Sequence, residues 1–205
     1  MDINNREKRI IVLEGINGVG KSTLFNALKG SFTEGSVGFV SFKDYGKHNH
    51  NAREAGEYVN SELDKVWSGY DIIVSDRWFT SNLLYERDNL YFGYLKDEYK
   101  SYIFPYHSFF IQPQNLLKTY LRAVIRNFKT NNGKSYNIFN YVKMNKLYNN
   151  FYKNKILTFV YTILKDNDFA NNYRILYKFI LSTLSKFNDQ ELADKLETLL
   201  LEDFK

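Results

Sequence analysis

The chain has no cysteine among its 205 residues, so disulfide frameworks, thiolate catalysis and cysteine-based zinc sites are excluded. It has only two prolines, and no apolar run reaches the length of a membrane span. The first residues are polar and lack the apolar core of a signal peptide. We therefore expect a protein of the cytoplasm, or of a host cytoplasm if its source is viral, with no membrane partner.

The composition favours one globular domain that spans residues 1–205. Hydrophobic residues make up 44% of the chain, which is enough for a core at this length. The net charge of +5 suits a protein that handles small polyanions, but it is too small and too dispersed to predict nucleic-acid binding. The expected partners are small-molecule nucleotides, and a homodimer is compatible with the sequence.

One stretch near the start carries the strongest signal. An apolar run at 10–13 predicts a buried strand, a glycine-rich turn follows at 15–20, and an amphipathic helical pattern runs over 22–28. This order fits G-x-x-x-x-G-K-[ST], in which backbone N–H groups and a helix N-terminus bind phosphate. Lys21 can reach the terminal phosphates, and the Ser22 hydroxyl can bind Mg²⁺. The candidate nucleotide-binding residues are Gly15, Asn17, Gly18, Val19, Gly20, Lys21, Ser22 and Thr23.

Strand and helix patterns alternate along the rest of the chain. The residues predict a three-layer α/β domain with a five-stranded parallel sheet flanked by helices. The further strands are expected at 37–42, 70–75, 107–111 and 156–163, and the further helices at 52–67, 80–85, 114–128, 137–154, 170–187 and 190–201. Ligands of such sheets bind at the carboxyl ends of the strands. The polar residues expected there are Glu14, Lys43, Asp44, Asp76 and Arg77.

Asp76 and Arg77 follow the third predicted strand and face the phosphate loop in such a fold. The carboxylate could hold Mg²⁺, directly or through water, or it could position an acceptor group. The guanidinium could bind a second phosphate in bidentate fashion, which only arginine can do. The alternative is a structural ion pair at the end of the strand.

Two arginines one helical turn apart precede a polar loop at 130–135. Arg122 and Arg126 could belong to a mobile lid around 127–137 that covers the donor phosphates and excludes water. Arg126 lies nearer the loop and is the better candidate, and Lys129 or Lys134 could replace it. The alternative is a solvated basic helix face, which is equally compatible with Arg122.

The stretches 11–24 and 73–81 resemble the thymidylate kinase family, a P-loop nucleoside monophosphate kinase family. That family has an Asp-Arg-aromatic motif with a serine shortly beyond, as in Asp76-Arg77-Trp78 and Ser81. The segment 109–128 is similar to the family's fourth strand and arginine-bearing helix. The likeness touches most of the chain but is specific only at the first two motifs.

The resemblance implies transfer of the γ-phosphate of ATP to a deoxynucleoside monophosphate, with dTMP as the first candidate and Mg²⁺ as the metal. It implies that Ser22 and Asp76 hold the metal. The implied catalytic residues are Lys21, Asp76, Arg77 and Arg126. The candidate substrate-binding residues are Asp44, Arg77, Trp78, Ser81 and Tyr85. The resemblance implies that Arg77 binds the acceptor phosphate, and the two aromatic residues at 78 and 85 could stack on a base.

The sequence departs from the family where the acceptor would bind. The family usually has an aspartate where Asn17 stands, an arginine near Tyr45 and another in the middle helix, where this chain has only Arg53. Base specificity therefore stays open.

Three other functions are compatible with the phosphate loop. A deoxynucleoside kinase would act on an unphosphorylated acceptor, with Asp44 as the general base, but such enzymes normally have Glu-Arg-Ser in place of Asp76-Arg-Trp. An ABC-type ATPase or a GTPase would need signature motifs that the chain lacks. A binding-only or nucleic-acid-modifying P-loop protein would not need Lys21, Ser22, Asp76 and Arg77 together.

Overall fold

A computed structural model describes residues 8–32, 36–42, 51–85, 90–129, 137–154 and 160–186. Several predicted features lie outside these ranges: Lys43, Asp44, Lys134, most of the lid loop and the helix expected at 190–201. The fold and the site below are therefore those of the described residues.

The described chain alternates strands and helices in the predicted order. The strands are β1 (Arg9–Glu14), β2 (Gly38–Ser41), β3 (Ile72–Asp76), β4 (His107–Gln112) and β5 (Tyr161–Lys165). The helices are α1 (Lys21–Ser31), α2 (Ala52–Trp67), α3 (Phe79–Tyr85), α4 (Asp97–Lys100), α5 (Leu116–Lys129), α6 (Ile138–Lys153) and α7 (Phe169–Leu184), with a 3₁₀ turn at Tyr91–Tyr94.

The five strands form one sheet in the order β2-β3-β1-β4-β5, and every pairing is parallel. This confirms the predicted α/β fold with a five-stranded parallel sheet flanked by helices. The central strand β1 has consecutive buried residues because both of its faces are covered. None of the described helices is both long and apolar enough to cross a membrane.

The two faces of β1 lead to two hydrophobic clusters. Ile11 and Leu13 pack in a cluster with α1, α6 and α7, whereas Ile10 and Val12 pack in a cluster with α2 and the 3₁₀ turn. The carboxyl ends of β1 and β3 stand side by side, since Leu13 pairs with Asp76. The phosphate loop after β1 and the Asp-Arg pair after β3 therefore meet at one edge of the sheet.

Most predicted boundaries lie within a few residues of the structure. Helix α1, expected to end near Gly30, ends at Ser31, whose hydroxyl donates to the carbonyl of Ala27. The fifth strand begins at Tyr161 and ends at Lys165, whereas the prediction was 156–163, of which 156–159 lie outside the described residues. Its place is set by pairing with Ser108–Gln112, and as an edge strand it is only partly buried, so its apolar pattern is weak.

We expect His107, at the start of β4, to make the stability of the protein depend on pH. It is buried, its Nε2 lies 2.7 Å from the Thr162 hydroxyl, and burial lowers its pKa from 6.5 to about 4. Above pH 6.5 the folded and unfolded states are both neutral at this residue. As the pH falls from 6.5 towards 4, His107 binds a proton in the unfolded chain but not in the folded protein. Protonation therefore favours the unfolded state, and the free energy of unfolding decreases.

We expect His107→Gln to flatten that pH dependence, because glutamine does not titrate. Between pH 7 and pH 4.5 the unfolding free energy of the wild type should fall more than that of the variant, by on the order of 2 kcal/mol. Urea unfolding at a series of pH values measures this difference. Parallel curves for the two proteins would show that His107 is protonated equally in both states.

Candidate functional site

The loop after β1 has a backbone that requires glycine. Gly15, Gly18 and Gly20 have φ angles of 141°, 88° and 94°, in the region that side chains with a Cβ rarely adopt. Gly20 is also the residue that precedes the first turn of α1. The strand, turn and helix thus form the phosphate-binding arrangement that the sequence predicts, with a helix N-terminus at the loop.

Lys21 lies inside this loop. The residue is 6% exposed, and its Nζ donates hydrogen bonds to the carbonyls of Gly15 and Ile16, each at 2.8 Å. Burial and the positive charges of Arg77 and Arg126 lower its pKa well below the ordinary value, against the opposing effect of Asp76 and Glu14. Burial therefore disfavours the charged form of Lys21, and an anion in the loop would stabilise that form.

The structure brings Ser22 and Asp76 together, although 54 residues separate them in sequence. The Ser22 hydroxyl donates to Asp76 Oδ2 at 2.8 Å. The other carboxylate oxygen, Oδ1, is buried and has no hydrogen-bond partner among the described residues. A buried carboxylate oxygen without a partner calls for an ion or water, and hydroxyl and carboxylate oxygens are ligands that Mg²⁺ prefers.

These residues therefore fit a magnesium ion. No group of three or more His, Asp or Glu side chains in the described part of the chain could hold a metal by itself. Magnesium commonly takes its remaining ligands from substrate phosphates and water, so a nucleotide would complete such a site.

Arg77 has the one positive φ angle recorded for a described residue other than glycine, 77°. This conformation costs about 1 to 2 kcal/mol in an L-residue. Two hydrogen bonds compensate for it: the Arg77 N–H donates to the Leu13 carbonyl at 3.0 Å, and the Ser75 hydroxyl donates to the Arg77 carbonyl at 2.5 Å. The chain turns sharply here, so the side chain is directed towards the phosphate loop.

The Arg77 guanidinium is held by the loop and by two helices. Its Nη2 donates to Asn17 Oδ1 at 2.7 Å, and its Nη1 donates to the hydroxyls of Ser81 at 3.0 Å and Tyr148 at 3.4 Å. Its Cζ lies 5.3 Å from the centre of the Tyr85 ring. Burial by itself would lower the Arg77 pKa, but Tyr85, Tyr148, Glu14 and Asp76 together raise it above its ordinary value, so the group stays charged.

Glu14 is fully buried behind this arginine. It accepts hydrogen bonds from the N–H of Trp78 at 3.0 Å, the hydroxyl of Ser81 at 2.6 Å and the hydroxyl of Tyr148 at 3.3 Å. Burial raises its pKa, while Arg77, Ser81, Lys21 and Trp78 oppose that shift. Glu14 thus orients the start of α3 and the guanidinium, and its carboxylate is not exposed to a reacting group.

Two tyrosines of α6 complete the site, and the sequence did not single them out as site residues. Tyr148 contacts both Arg77 and Glu14, and the Tyr141 hydroxyl donates to the carbonyl of Asn17 in the phosphate loop. They are seven residues apart, so they share one side of the helix, and both are buried. That spacing was the available signal, but many of the 17 tyrosines in this chain show similar spacings.

The two arginines of α5, Arg122 and Arg126, have different environments in the structure. Arg122 is paired with Asp166, which also accepts from the Thr119 hydroxyl at 2.7 Å, so Arg122 fixes α5 to the residue after β5. Arg126 lies one turn later, and its charge contributes to the lowered pKa of Lys21. Of the two, Arg126 is therefore the one placed electrostatically near the loop.

The other predicted residues have different environments. Trp78 is 3% exposed, packs on Phe42 and donates from Nε1 to the carbonyls of Tyr102 and Ile103, so its indole belongs to the core. Val19 is also buried in the core, whereas Thr23 is exposed. Tyr85 is 38% exposed, and its ring lies against both Arg77 and Tyr148. Asp44 lies outside the described residues.

No family model matches the chain, and no curated protein matches it. Solved structures do. Deoxyadenosine kinase from M. mycoides with the products dCMP and a flexible dCDP bound is 15% identical, with a TM-score of 0.53 over 85% of this chain and 99% of that one. The same kinase with bound dCTP has a TM-score of 0.51 over 86% of this chain. The YorR protein from Bacillus subtilis in complex with phosphorylated GDP is also 15% identical, with a TM-score of 0.57 over 88% of this chain and 99% of that one.

These likenesses establish the fold. The chain has the same fold as these structures, a five-stranded parallel sheet flanked by helices, and the similarity covers nearly the whole length of each of them.

Proposed function

We propose that this protein transfers the γ-phosphate of ATP to a deoxynucleoside monophosphate, with Mg²⁺ as the metal and dTMP as the first candidate acceptor. The observation that carries the proposal is the hydrogen bond of 2.7 Å between Arg77 Nη2 and Asn17 Oδ1. It ties a fixed, charged guanidinium to the phosphate loop, so a cation for a second phosphate lies beside the donor-phosphate site.

The division of labour follows from the chemistry of each side chain. Gly18, Gly20 and the N-terminus of α1 would bind the donor phosphates, and Lys21 would exchange its two carbonyl partners for phosphate oxygens. Ser22 and Asp76 would hold Mg²⁺, which when bound neutralises charge on the phosphates. Arg77 would bind the acceptor phosphate in bidentate fashion and align it with the donor.

The second candidate is a deoxynucleoside kinase, because two of the similar structures are of a deoxyadenosine kinase. An unphosphorylated acceptor needs a general base for its hydroxyl, whereas a monophosphate acceptor needs an additional cation. Arg77 meets the second requirement. Glu14 does not meet the first, because it is fully buried and already accepts several hydrogen bonds. The predicted base for this alternative, Asp44, lies outside the described residues.

One assay separates these functions. ADP release should be measured with ATP and Mg²⁺ against each of the four deoxynucleosides and each of the four deoxynucleoside monophosphates. We expect turnover with at least one monophosphate and none with the matching nucleoside. Turnover with nucleosides alone would establish the second candidate, and ADP release independent of any acceptor would identify an ATPase.

Arg126 is expected to act on the chemical step. We expect Arg126→Ala to lower the single-turnover rate about 100-fold or more while ATP binding stays nearly unchanged, because a lid cation acts on charge that develops during transfer. Rapid-quench measurement of the transferred phosphate, together with equilibrium ATP titration, tests this.

Arg122→Ala is the matched control one turn away. It should lower the melting temperature, because the buried Asp166 carboxylate loses a partner, while the rate of transfer in the folded protein stays close to that of the wild type. A normal single-turnover rate in Arg126→Ala would move the lid role to Lys129 or Lys134.

A further inference from the structure

Two hydroxyl groups lie between the Arg77 guanidinium and the Glu14 carboxylate. The Ser81 Oγ is 3.0 Å from Arg77 Nη1 and 2.6 Å from Glu14 Oε2. The Tyr148 hydroxyl is 3.4 Å from the same Nη1 and 3.3 Å from the same Oε2. Within the described part of the chain, Glu14 and Arg77 make no direct ion pair. The two hydroxyls therefore bridge the two charged groups and hold them apart.

The chemistry of these groups fixes the direction of the bridge. A guanidinium can only donate hydrogen bonds, and an ionised carboxylate can only accept them. With Glu14 ionised, both hydroxyls accept from Arg77, and Ser81 donates to the carboxylate. Tyr148 donates to Glu14 or to the Ser81 oxygen, which is 2.9 Å away. Burial raises the pKa of Tyr148, so its hydroxyl keeps the proton that the bridge needs.

The separation leaves donors of Arg77 for a ligand. A guanidinium has five N–H groups. The described side chains take three of them, because Nη2 donates to Asn17 and Nη1 donates to both Ser81 and Tyr148. A direct pair with Glu14 would occupy donors and positive charge that a phosphate needs, since arginine binds carboxylate and phosphate with the same fork of N–H groups. Burial strengthens the attraction between the two charges, so something must oppose that pairing.

Tyr148 is held in place by its ring. The ring stacks on Phe110 of β4, with centroids 5.7 Å apart and an interplanar angle of 4°, and it packs against Tyr85 at 6.1 Å. A phenylalanine at position 148 would keep both ring contacts and lose only the hydroxyl. Tyr152, one turn later on α6, stacks on the same Phe110 at 4.5 Å, and its hydroxyl lies 2.8 Å from that of Ser108. Loss of the Tyr152 hydroxyl is therefore a matched change in the same helix.

We propose that Tyr148 is a positioning residue, which keeps Arg77 from pairing directly with Glu14 and so keeps the guanidinium directed at the acceptor phosphate. Without the hydroxyl, the guanidinium moves towards the carboxylate and turns away from the phosphate loop. The inference rests on the proposed function in one respect, the binding of the acceptor phosphate by Arg77. The place of the guanidinium in the protein without substrates is independent of which acceptor is used.

Steady-state kinetics test the effect on the acceptor. We expect Tyr148→Phe to lower the acceptor kcat/KM about 10-fold or more, mostly through KM, while the KM for ATP changes less than about twofold. The control Tyr152→Phe should keep the acceptor kcat/KM within about twofold of the wild type. Equal losses in the two variants would overturn the proposal, because they would reflect the packing of α6 alone.

A double-mutant cycle with Glu14→Gln tests the cause. Glutamine keeps an oxygen for the Trp78 N–H but has no charge that attracts the guanidinium. In the Glu14→Gln background, Tyr148→Phe should therefore cost no more than about a third of the fold-loss seen in the wild-type background. The same fold-loss in both backgrounds would show that Tyr148 does not act by separating Arg77 from Glu14, and would overturn the proposal.

Chemical labelling of Arg77 gives a readout that needs no turnover. The reagent p-hydroxyphenylglyoxal modifies accessible arginines, and peptide mass spectrometry gives the rate at position 77. Without substrates, we expect labelling to be about threefold slower in Tyr148→Phe than in the wild type, because a direct ion pair shields the guanidinium. Tyr152→Phe should be labelled at the wild-type rate.

An equal or faster rate in Tyr148→Phe would mean that Glu14 does not capture the guanidinium, and would overturn the proposal. This readout also separates the inference from the proposed function. If the wild type turned over no deoxynucleoside monophosphate, the proposed function would fail. The labelling rates of the four proteins in the cycle would still decide whether Tyr148 keeps Arg77 apart from Glu14.

Discussion

Replacement of Lys21 by alanine is expected to reduce phosphoryl transfer by at least about 1,000-fold, the scale expected when a cation at the transferred group is lost. The Lys21 side chain is buried in the loop, and burial lowers its pKa, so a phosphate bound beside it would favour the charged form. Removing it leaves the developing charge on the transferred group without its nearest compensating cation. The coupled ADP-release assay, run with saturating acceptor, measures the loss.

Two further variants serve as controls for this result. Lys21→Met keeps most of the side-chain volume in the loop and should lose activity to the same extent, while its circular dichroism spectrum stays that of the wild type. Lys29→Ala removes an exposed lysine from the last turn of the same helix and should leave the rate unchanged. Undiminished turnover in Lys21→Ala would remove this side chain from the catalytic assignment.

Replacement of Arg77 by alanine should act on the acceptor. The guanidinium is fixed by Asn17, Ser81 and Tyr148 before any substrate arrives, so its loss removes both the grip on the acceptor phosphate and its alignment. We expect the acceptor KM to rise and kcat to fall, with kcat/KM reduced about 1,000-fold, while the KM for ATP changes little. Steady-state kinetics with each substrate varied in turn give these values.

Arg77→Lys separates charge from geometry. It keeps a positive charge near Glu14, whose raised pKa is partly opposed by Arg77, but it cannot form two parallel hydrogen bonds. We expect it to fold like the wild type and still lose about 100-fold in acceptor kcat/KM, since bidentate alignment is absent. Arg53→Ala, at an exposed arginine of α2, is the control. A change confined to ATP affinity would mean that the two phosphate sites are reversed.

The sequence allowed the fold to be predicted, together with the positions of several candidate site residues, because those features are local. The apolar run, the glycine turn and the helix around residues 10–28 lie within one short stretch, and Asp76 and Arg77 directly follow a buried strand. Parallel pairing of β1 with β3 then brings the two stretches together without any further information. The pairing of Ser22 with Asp76 follows from that register.

The rest depends on contacts that no local pattern indicates. Tyr148 hydrogen-bonds to Glu14 across 134 positions, and Tyr141 to Asn17 across 124, in a chain with 17 tyrosines. The left-handed backbone at Arg77 is equally hidden, since arginine has no preference for it. Trp78 was expected near a base, but β-strand neighbours and the carbonyls at 102–103 draw its indole into the core.

The tight contact at Gly18 limits where this protein can carry positive charge. A Cβ at position 18 would come within 2.5 Å of the Thr119 carbonyl and 3.2 Å of the Ala123 side chain, and the φ of 88° would strain any other residue there. An arginine at position 18 would fit only if α5 moved away from the loop. Position 18 therefore cannot acquire a positively charged side chain by a single substitution unless α5 also moves.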